Sequence, residues 1–497
     1  FLSKEDLILE ISYDDACDGK IVKMEEKISS NEEGYLVWKG TPLLRNGCYY
    51  VRILDQNGES IEVGNIKIFE HSPKLIPWHQ LEMGKEMTRT FYLFADEFEP
   101  NIRNLRYKSQ TYLAEGLGFI GSDTEKIIYA DFKMLTWMME PGLKEPLIAP
   151  SIDYFEMYFR DIFWTLSGSQ DKFLNENILR RVEATMNKGG HIDNIITPFY
   201  GSREHTNNEI DYLYIIWTYL NKKRFGSEPN LEKINRLAKL LKNEFDPDGD
   251  GIIYTTNPQS LMDVMWFEEE HRFAVSQGYF AVAMRTAREL GAEIEESYVR
   301  KAEEGYRGYY DDVNGYLHSF PDNTLGENGT PLGIISCLDL EPEFLSLYLF
   351  NNAILTDKMV TNTLEKLPVY NDCLMPIMCR ADGQFFTKDC NPFSKDMFWE
   401  GGRYANGGSY LRPEYIALTT GYLHGWEKAM PLMNNRLDFE IEFDKENPTS
   451  HEYLSCNGDP DKSSEHRVFA WNMFVIEINR FLSLRRQEDD PDYNKLA

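Results

Sequence analysis

The sequence predicts a mainly helical protein that begins with a small β-rich domain. Strand-like patterns are confined to about the first 75 residues. Beyond residue 150, long segments carry apolar residues at helical spacing, separated by polar loops rich in Gly, Asp and Pro. Single hydrophobic cores stop growing at roughly 250–300 residues, so a chain of 497 residues is expected to form more than one domain.

The N-terminal region 1–75 has the features of antiparallel strands. β-branched or alternating runs at 49–54 and 59–63 flank the turn cluster 55–58. These patterns predict a small sandwich-like domain. The two prolines between His71 and Trp78 indicate its boundary.

Two further regions follow this boundary. We expect 76–150 to hold a linker and the first helices, and 151–497 to form the large helical domain. Apolar residues recur with helical spacing at 153–167, 171–187, 208–223, 229–244, 268–291, 293–310, 341–356, 409–429 and 464–484. The periodicity by itself indicates only an all-α domain.

The charge and cysteine content exclude several classes of function. The chain has 81 Asp and Glu against 52 Lys and Arg, and a net charge of -29 disfavours nucleic-acid binding. No apolar run approaches the roughly 18 residues of a membrane span, so we expect no membrane insertion. Because the sequence begins at Phe1 rather than Met, it is either a processed or a trimmed product, and the absence of a signal says little. The compartment stays open, with a processed secreted or periplasmic protein favoured over a cytoplasmic one. The seven cysteines lack a framework spacing and are expected to be buried or partly buried free thiols.

Candidate functional residues lie where carboxylates and aromatic residues occur together near long loops, which often carry function. Four segments have this composition: 158–164, 208–212, 260–266 and 450–454, the last followed by an aromatic segment at 469–472. A sugar site needs this combination, because aromatic rings support the sugar while carboxylates move protons.

Each segment also has a structural interpretation. Arg160 and Asp161 could form an ordinary ion pair on a helix surface. Glu209 and Asp211 could complement a helix dipole. Asp263 could cap a helix, but if its apolar neighbours bury it, desolvation raises its pKa as a general acid requires.

The order of these segments resembles that of inverting glycosidases of the (α/α)6 toroid kind. The similarity is to glycoside hydrolase family 63, with its trehalase, glucoamylase and glycogen-debranching relatives. The family's S-G-x-D, Y-W-R-G-x-x-W and E-Y…G…F-x-W-S segments correspond to 260–263, 398–404 and 452–472 here. The similarity extends over roughly residues 150 to 485.

The resemblance implies a helical toroid as the catalytic domain and an exo-acting hydrolase on an α-linked, glucose-like sugar. It implies Asp263 as general acid and Glu452 as general base, about 6.5–9.5 Å apart as inverting enzymes require. Asp161 and Trp399 would line the subsite of the released sugar, supported by Trp471.

Two positions depart from the family pattern. Leu261 replaces the glycine of S-G-x-D, and Glu400 replaces the arginine of Y-W-R-G. Either Arg403 supplies the missing positive charge or Glu400 meets a different substrate. The residues expected to bind substrate are Arg160, Asp161, Trp164, Glu209, Asp211, Trp266, Trp399, Glu400, Arg403 and Trp471.

Two alternatives remain open at this stage. A polysaccharide lyase or unsaturated glucuronyl hydrolase on the same toroid could use the set Arg203, His205 and Tyr212. The other alternative is a non-catalytic carbohydrate-binding protein. In all three cases the expected partner is an oligosaccharide or glycoside.

No cofactor is expected. Asp246, Asp248 and Asp250 match the start of a calcium loop, but Asn257 stands where an EF-hand needs a bidentate Glu, which disfavours calcium.

Overall fold

The computed structural model describes most of the chain beyond residue 119 and the strands that precede it. The described residues are 7–15, 20–30, 36–37, 47–54, 60–68, 114, 119–139, 148–151, 154, 157–186, 189–197, 201–203, 209–257, 264–265, 267–393, 397–443, 450–457, 459–464, 466 and 468–489.

The N-terminal strands form one antiparallel sheet in the order β3-β2-β1-β4-β5. Their bounds are β1 Leu7–Asp15, β2 Lys20–Ser30, β3 Leu36–Val37, β4 Gly47–Leu54 and β5 Ser60–Ile68. Central β1 pairs with β2, its neighbour along the chain, and with β4, which returns to its other edge after β2 and β3. The sandwich-like arrangement and the domain boundaries remain predictions.

Helices dominate the rest of the described chain. They are α1 Asp123–Met139, α2 Phe159–Gly168, α3 Lys172–Ala184, α4 Glu209–Phe225, α5 Leu231–Phe245, α6 Ala274–Leu290, α7 Glu296–Arg307, α8 Glu341–Phe350, α9 Asp357–Lys366, α10 Leu411–Leu423, α11 Ala429–Phe443 and α12 Met473–Asp489. The prediction of a mainly helical protein is therefore confirmed. None of these helices is long and apolar enough to cross a membrane.

The even-numbered helices contact one another in a closed cycle: α2 with α4, α4 with α6, α6 with α8, α8 with α10, α10 with α12, and α12 with α2. The odd-numbered helices pack against this cycle. Burial distinguishes the two sets. α10 is buried from Leu411 to Gly421, whereas α3 buries mainly one stripe, formed by Leu174, Ile178 and Val182. We call the even-numbered set the inner helices and the odd-numbered set the outer helices.

The connections differ strongly in length. Inner helices lead into outer helices through short links, such as 169–171 and 291–295. The long connections run the other way, from outer to inner helices. They contain the short strands described in the helical region: β6 Met157–Tyr158, β7 Ile195–Thr197, β8 Gly201–Arg203, β9 Tyr310–Asp311, β10 Tyr316–Leu317, β11 Ile334–Ser336, β12 Met378–Arg380, β13 Gly408–Ser409 and β14 Leu454–Ser455. The long loops therefore all lead into the N-terminal ends of inner helices.

The cysteines of the described chain agree with expectation. Cys337, Cys373, Cys379 and Cys456 are buried free thiols, and Cys390 is a partly exposed one. Burial raises the pKa of the Cys379 and Cys456 thiols, which keeps them protonated and unreactive.

Candidate active site

A buried cluster of charged and aromatic side chains joins the N-terminal halves of the inner helices. We call this set the inner cluster; it consists of Arg160, Trp164, Glu209, Tyr279, Glu341, Arg412 and Trp471. α2, α4, α6, α8 and α10 each contribute to it, and Trp471 lies in the turn that leads into α12. Five inner helices and the turn that precedes the sixth therefore converge on one group of side chains.

An ion pair links the first two inner helices at this cluster. Arg160 Nε lies 3.0 Å from Glu209 Oε2, and both side chains are buried. Such a pair is costly to break, because removing one partner leaves a buried charge without its counter-ion. The structure thus ties Arg160 on α2 to Glu209 at the start of α4.

The guanidinium of Arg412 is stacked between two tryptophans. Its Cζ atom lies 4.3 Å from the ring centroid of Trp164 and 4.8 Å from that of Trp471. Its Nη1 donates a hydrogen bond of 2.6 Å to Glu341 Oε1, and Tyr279 Oη donates one of 2.5 Å to Glu341 Oε2. Burial and the nearby Glu341 raise the pKa of Tyr279 well above its usual value, which keeps it a donor.

Three of these residues were not predicted from the sequence: Tyr279, Glu341 and Arg412. For two of them, the sequence nevertheless contains a feature that could have indicated a buried contact. Glu341 and Arg412 are charged residues in the first turns of helices that are otherwise largely apolar and buried. Such residues are rarely buried without a partner, so each indicates a contact across helices.

Glu452 lies in the last long loop, just before β14. Its side chain is only 6% exposed, and its Oε2 accepts a hydrogen bond of 2.9 Å from the hydroxyl of Ser464. Its backbone N–H donates to the carbonyl of His466 at 3.1 Å. Both the side chain and the backbone of Glu452 are therefore fixed by the returning part of the same loop.

The residues immediately before Glu452 are fixed as well. The backbone N–H of His451 donates to Glu440 Oε1 at 3.0 Å, and its ring Nδ1 lies 3.1 Å from the same atom. Burial opposes ionisation of Glu440, but Arg436 and His451 outweigh it and lower the pKa of Glu440 to about 2. Ser450 donates from both its N–H and its hydroxyl to Asp131 Oδ2. The segment that carries Glu452 is thus held in one position.

A continuous run of aromatic rings passes beside this segment. Centroid distances are 5.0 Å from Trp399 to Tyr404, 6.2 Å from Tyr404 to Tyr410, and 6.1 Å from Tyr410 to Trp471. Tyr453, the residue after the buried glutamate, packs against both Tyr404 and Tyr410 at 5.6 Å and 5.3 Å. The structure therefore connects the two predicted tryptophans through rings that adjoin the predicted base. We call these five rings the aromatic run.

Similarities to known proteins are found among solved structures. No family model matches the sequence, and none of the curated proteins matches it. The glycoside hydrolase family 63 mannosylglycerate hydrolase of Thermus thermophilus, in complex with glucose, is 12% identical, with 72% of this chain and 99% of that chain covered and a TM-score of 0.48. The same enzyme with Tris and D-glycerate is 13% identical, with 72% and 100% covered and a TM-score of 0.48. A wild-type glycosidase is 13% identical, with 73% and 99% covered and a TM-score of 0.47.

These structures include the family that the sequence motifs resemble. At such identities and with TM-scores below 0.5, they carry no argument about function.

The other predicted residues occupy varied environments. Asp161 is half-buried in the first turn of α2, and Trp164 is fully buried against Arg412. Asp263 and Trp266 lie outside the described residues. Asn257 and Met265, on either side of the Asp263 segment, are buried, and Asn257 Nδ2 donates to the carbonyl of Met265 at 3.2 Å.

Asp211 is buried and binds the preceding loop. Its Oδ2 lies 2.7 Å from His191 Nδ1, and its Oδ1 accepts a bond of 2.9 Å from the N–H of Ile192. The hydrogen bond to Asp211 raises the pKa of His191 to about 9, while burial pushes the pKa of Asp211 upward against that ion pair. Asp211 therefore anchors the loop that precedes α4.

Of the two departures from the family pattern, Leu261 lies outside the described residues and Glu400 lies on the surface. Glu400 has a side chain that is 72% exposed, and its Oε2 lies 3.4 Å from Lys462 Nζ. Arg403 is also exposed. In this structure both therefore face solvent, at the same loop as half-buried Trp399.

The residues of the alternative hypotheses are only partly described. His205 and the side chain of Arg203 lie outside the described residues, and Tyr212 is buried on α4, 6.0 Å from the ring of Phe280.

The three aspartates of the possible calcium loop do lie together. One oxygen each from Asp246, Asp248 and Asp250 is within 4.8 Å of the others. Asp246 is buried and already accepts bonds from the N–H of Gly251 and the hydroxyl of Tyr298, at 3.0 Å and 2.5 Å. This group is a candidate cation site, and Asp246 also closes the loop internally.

Proposed function

We propose that this chain is an inverting, exo-acting glycoside hydrolase whose inner and outer helices form an (α/α)6 toroid. The observation that carries the proposal is the placement of Glu452. A buried carboxylate on a segment fixed from both sides stands next to the aromatic run. Sugar hydrolysis needs this combination, because rings support the sugar while a positioned carboxylate activates water.

The topology supports a second carboxylate opposite Glu452. The loop with Asp263 leads into α6, and the loop with Glu452 leads into α12. In the contact cycle, α6 and α12 are three steps apart and therefore face each other across the ring. Two carboxylates that approach from opposite sides suit inversion, which needs roughly 6.5–9.5 Å between them for sugar and water.

The proposed reaction needs only these two groups and one water. Asp263, protonated, donates its proton to the glycosidic oxygen as the bond from that oxygen to the anomeric carbon breaks. Glu452, ionised, takes a proton from the water that bonds to the anomeric carbon from the opposite face. The hydrogen bond from Ser464 stabilises the ionised form of Glu452, which is the form a base requires. No cofactor enters the reaction.

The substrate class follows from the aromatic run and the motif resemblance. The half-buried ring of Trp399, at one end of this run of tilted and edge-to-face rings, suits the C–H face of a sugar ring. We propose an α-linked, glucose-like sugar, which rests on the resemblance of segments 398–404 and 452–472 to the family. The exposed Glu400 and Arg403 would then meet only the outer part of a longer substrate, at the rim.

The test is incubation with a panel of disaccharides while NMR follows the anomer of the first product. An α-linked substrate should release a β-anomer. Asp263→Asn and Glu452→Gln should each lower kcat by about 10²–10⁴-fold, whereas the matched exposed variant Glu442→Gln should not. Retention of configuration would contradict inversion, and an unsaturated product would favour the lyase alternative.

A further inference from the structure

A cavity in the described part of the chain is lined by residues other than those of the inner cluster. It has a volume of about 500 Å³, and its walls come from the C-terminal end of α7, the 246–257 loop and the loop that contains β9 and β10. None of the inner-cluster residues lines it. We call it the outer cavity. Its volume is in the range of 300–1,000 Å³ that is usual for small-molecule sites.

The charges around the outer cavity do not favour an anion. Arg272 lines it, but its guanidinium is occupied by Asp322, with Nη2 at 2.5 Å and Nε at 3.0 Å from Oδ1. Lys301 donates to the carbonyl of Gly249 at 2.9 Å. Three further carboxylates line the walls: Asp250, Glu304 and Asp311. A phosphate or carboxylate ligand would meet net negative charge.

Two lining side chains have polar atoms without a partner among the described residues. They are the Tyr309 hydroxyl and His318 Nδ1. Tyr309 is 7% exposed, and burial raises its pKa, so its hydroxyl remains a donor. Burial lowers the pKa of His318 to about 4, so its ring is neutral and one nitrogen can accept a hydrogen bond. Buried polar atoms of this kind normally have partners.

The remaining walls provide an apolar surface. Tyr310 is largely buried, and its hydroxyl already accepts a hydrogen bond of 2.9 Å from Asn362 Nδ2. Ile252 and Pro321 complete this surface. The cavity thus offers neutral and charged donors, acceptors and an apolar wall, but no excess of positive charge.

We infer that the outer cavity binds a neutral saccharide unit, at a site separate from the inner cluster. A neutral ligand rich in hydroxyl groups can use the donors, the carboxylate acceptors and the apolar wall together. The proposed function guides the choice of sugar probes. The binding itself does not depend on hydrolysis at Glu452.

The experiment titrates maltose and trehalose into the Glu452→Gln variant by calorimetry, with and without Tyr309→Phe. The second substitution should weaken one class of sites about fivefold or more, since it removes one buried hydrogen bond to the ligand. The folded state should keep its stability, because the hydroxyl has no partner in the described chain to lose. Tyr219→Phe, on α4 against Phe350, is the matched control and should leave binding unchanged.

A crystal of Glu452→Gln soaked in the sugar gives a second measurement. Sugar density in the outer cavity would support the inference. Identical titrations with and without Tyr309→Phe, together with no sugar in the cavity, would overturn it. If the chain hydrolyses none of the disaccharides while the cavity still binds sugar, the proposed function fails and this inference stands.

Discussion

Arg412 on α10 lies with its guanidinium carbon 4.3 Å from the ring of Trp164 on α2, although these helices are not neighbours in the contact cycle. The contact therefore crosses the interior of the ring. Arg412 also holds Glu341 on α8 through a hydrogen bond of 2.6 Å. A single side chain thus fixes three inner helices relative to one another at their N-terminal ends, into which the long loops lead.

Replacing this arginine should destabilise the fold strongly. Arg412→Met should lower the free energy of unfolding by about 3–5 kcal/mol, because it leaves Glu341 as a buried charge without its partner. Urea denaturation measures the difference. The double variant Arg412→Met, Glu341→Gln should recover part of the loss.

The matched control is the exposed Arg403→Met, which should change the free energy of unfolding by less than about 0.5 kcal/mol. An Arg412→Met protein as stable as the wild type would show that the stacked guanidinium does not hold the inner helices.

Much of the helical architecture can be predicted from local patterns, and the contacts inside it cannot. Each of the nine periodic segments contains a helix, because amphipathic spacing is a property of neighbouring residues. α9 and α11 escaped prediction. Two features of α11 obscure the helix in the sequence. Pro431 usually interrupts a helix, but it lies in the first turn, where its missing N–H is not needed. The last residues, Glu-Ile-Glu-Phe, alternate between polar and apolar, which is typical of strands.

The inner cluster could not be predicted in full because local sequence patterns do not show which distant residues come into contact. The partners Arg412 and Glu341 are 71 residues apart, and nothing in either local sequence identifies the other. Glu452, in contrast, belongs to a motif whose order along the chain carries the prediction. A motif can therefore be noticed in a single sequence, although the role of Glu452 stays a prediction, whereas pairing across a ring depends on the packed fold.

The hydrogen bond from Ser464 to Glu452 should set the acidic limb of the pH profile. Ser464→Ala removes a donor to the ionised carboxylate, so the pKa of the base should rise and the acidic limb of kcat/KM should move to higher pH. Ser483→Ala, on the exposed face of α12, should leave the profile unchanged. If Ser464→Ala lowers activity but leaves the acidic limb of the kcat/KM profile at the same pH, the base is a residue other than Glu452.

The ion pair of His191 with Asp211 should make stability depend on pH in the alkaline range. The folded-state pKa of His191 is raised to about 9, above the unfolded value near 6.5. Its contribution is therefore fully present below pH ~6.5 and is lost as the pH rises through about 9.

Urea midpoints of the wild type and His191→Gln, measured from pH ~6 to ~9.5, test this sign. The gap between the two proteins should narrow as the pH rises. His318→Gln is the comparison, because burial lowers the pKa of that histidine to about 4 and its ring stays neutral over the whole range. A gap for His191→Gln that stays constant with pH would contradict the ion pair.

Trp399 should contribute to substrate binding through its position at the outer end of the aromatic run, 5.0 Å from Tyr404. Trp399→Ala removes a ring that is only half-buried, so the fold should tolerate it while KM for the disaccharide rises about tenfold. That factor corresponds to about 1.4 kcal/mol of lost contact with the sugar. Trp399→Phe, which keeps an aromatic face, should restore most of the affinity.

Trp426→Phe is the control, since its indole donates to Glu365 on an outer helix, 2.7 Å away, and it should leave KM unchanged. If Trp399→Ala instead lowers kcat at constant KM, the ring positions the catalytic loop rather than the sugar.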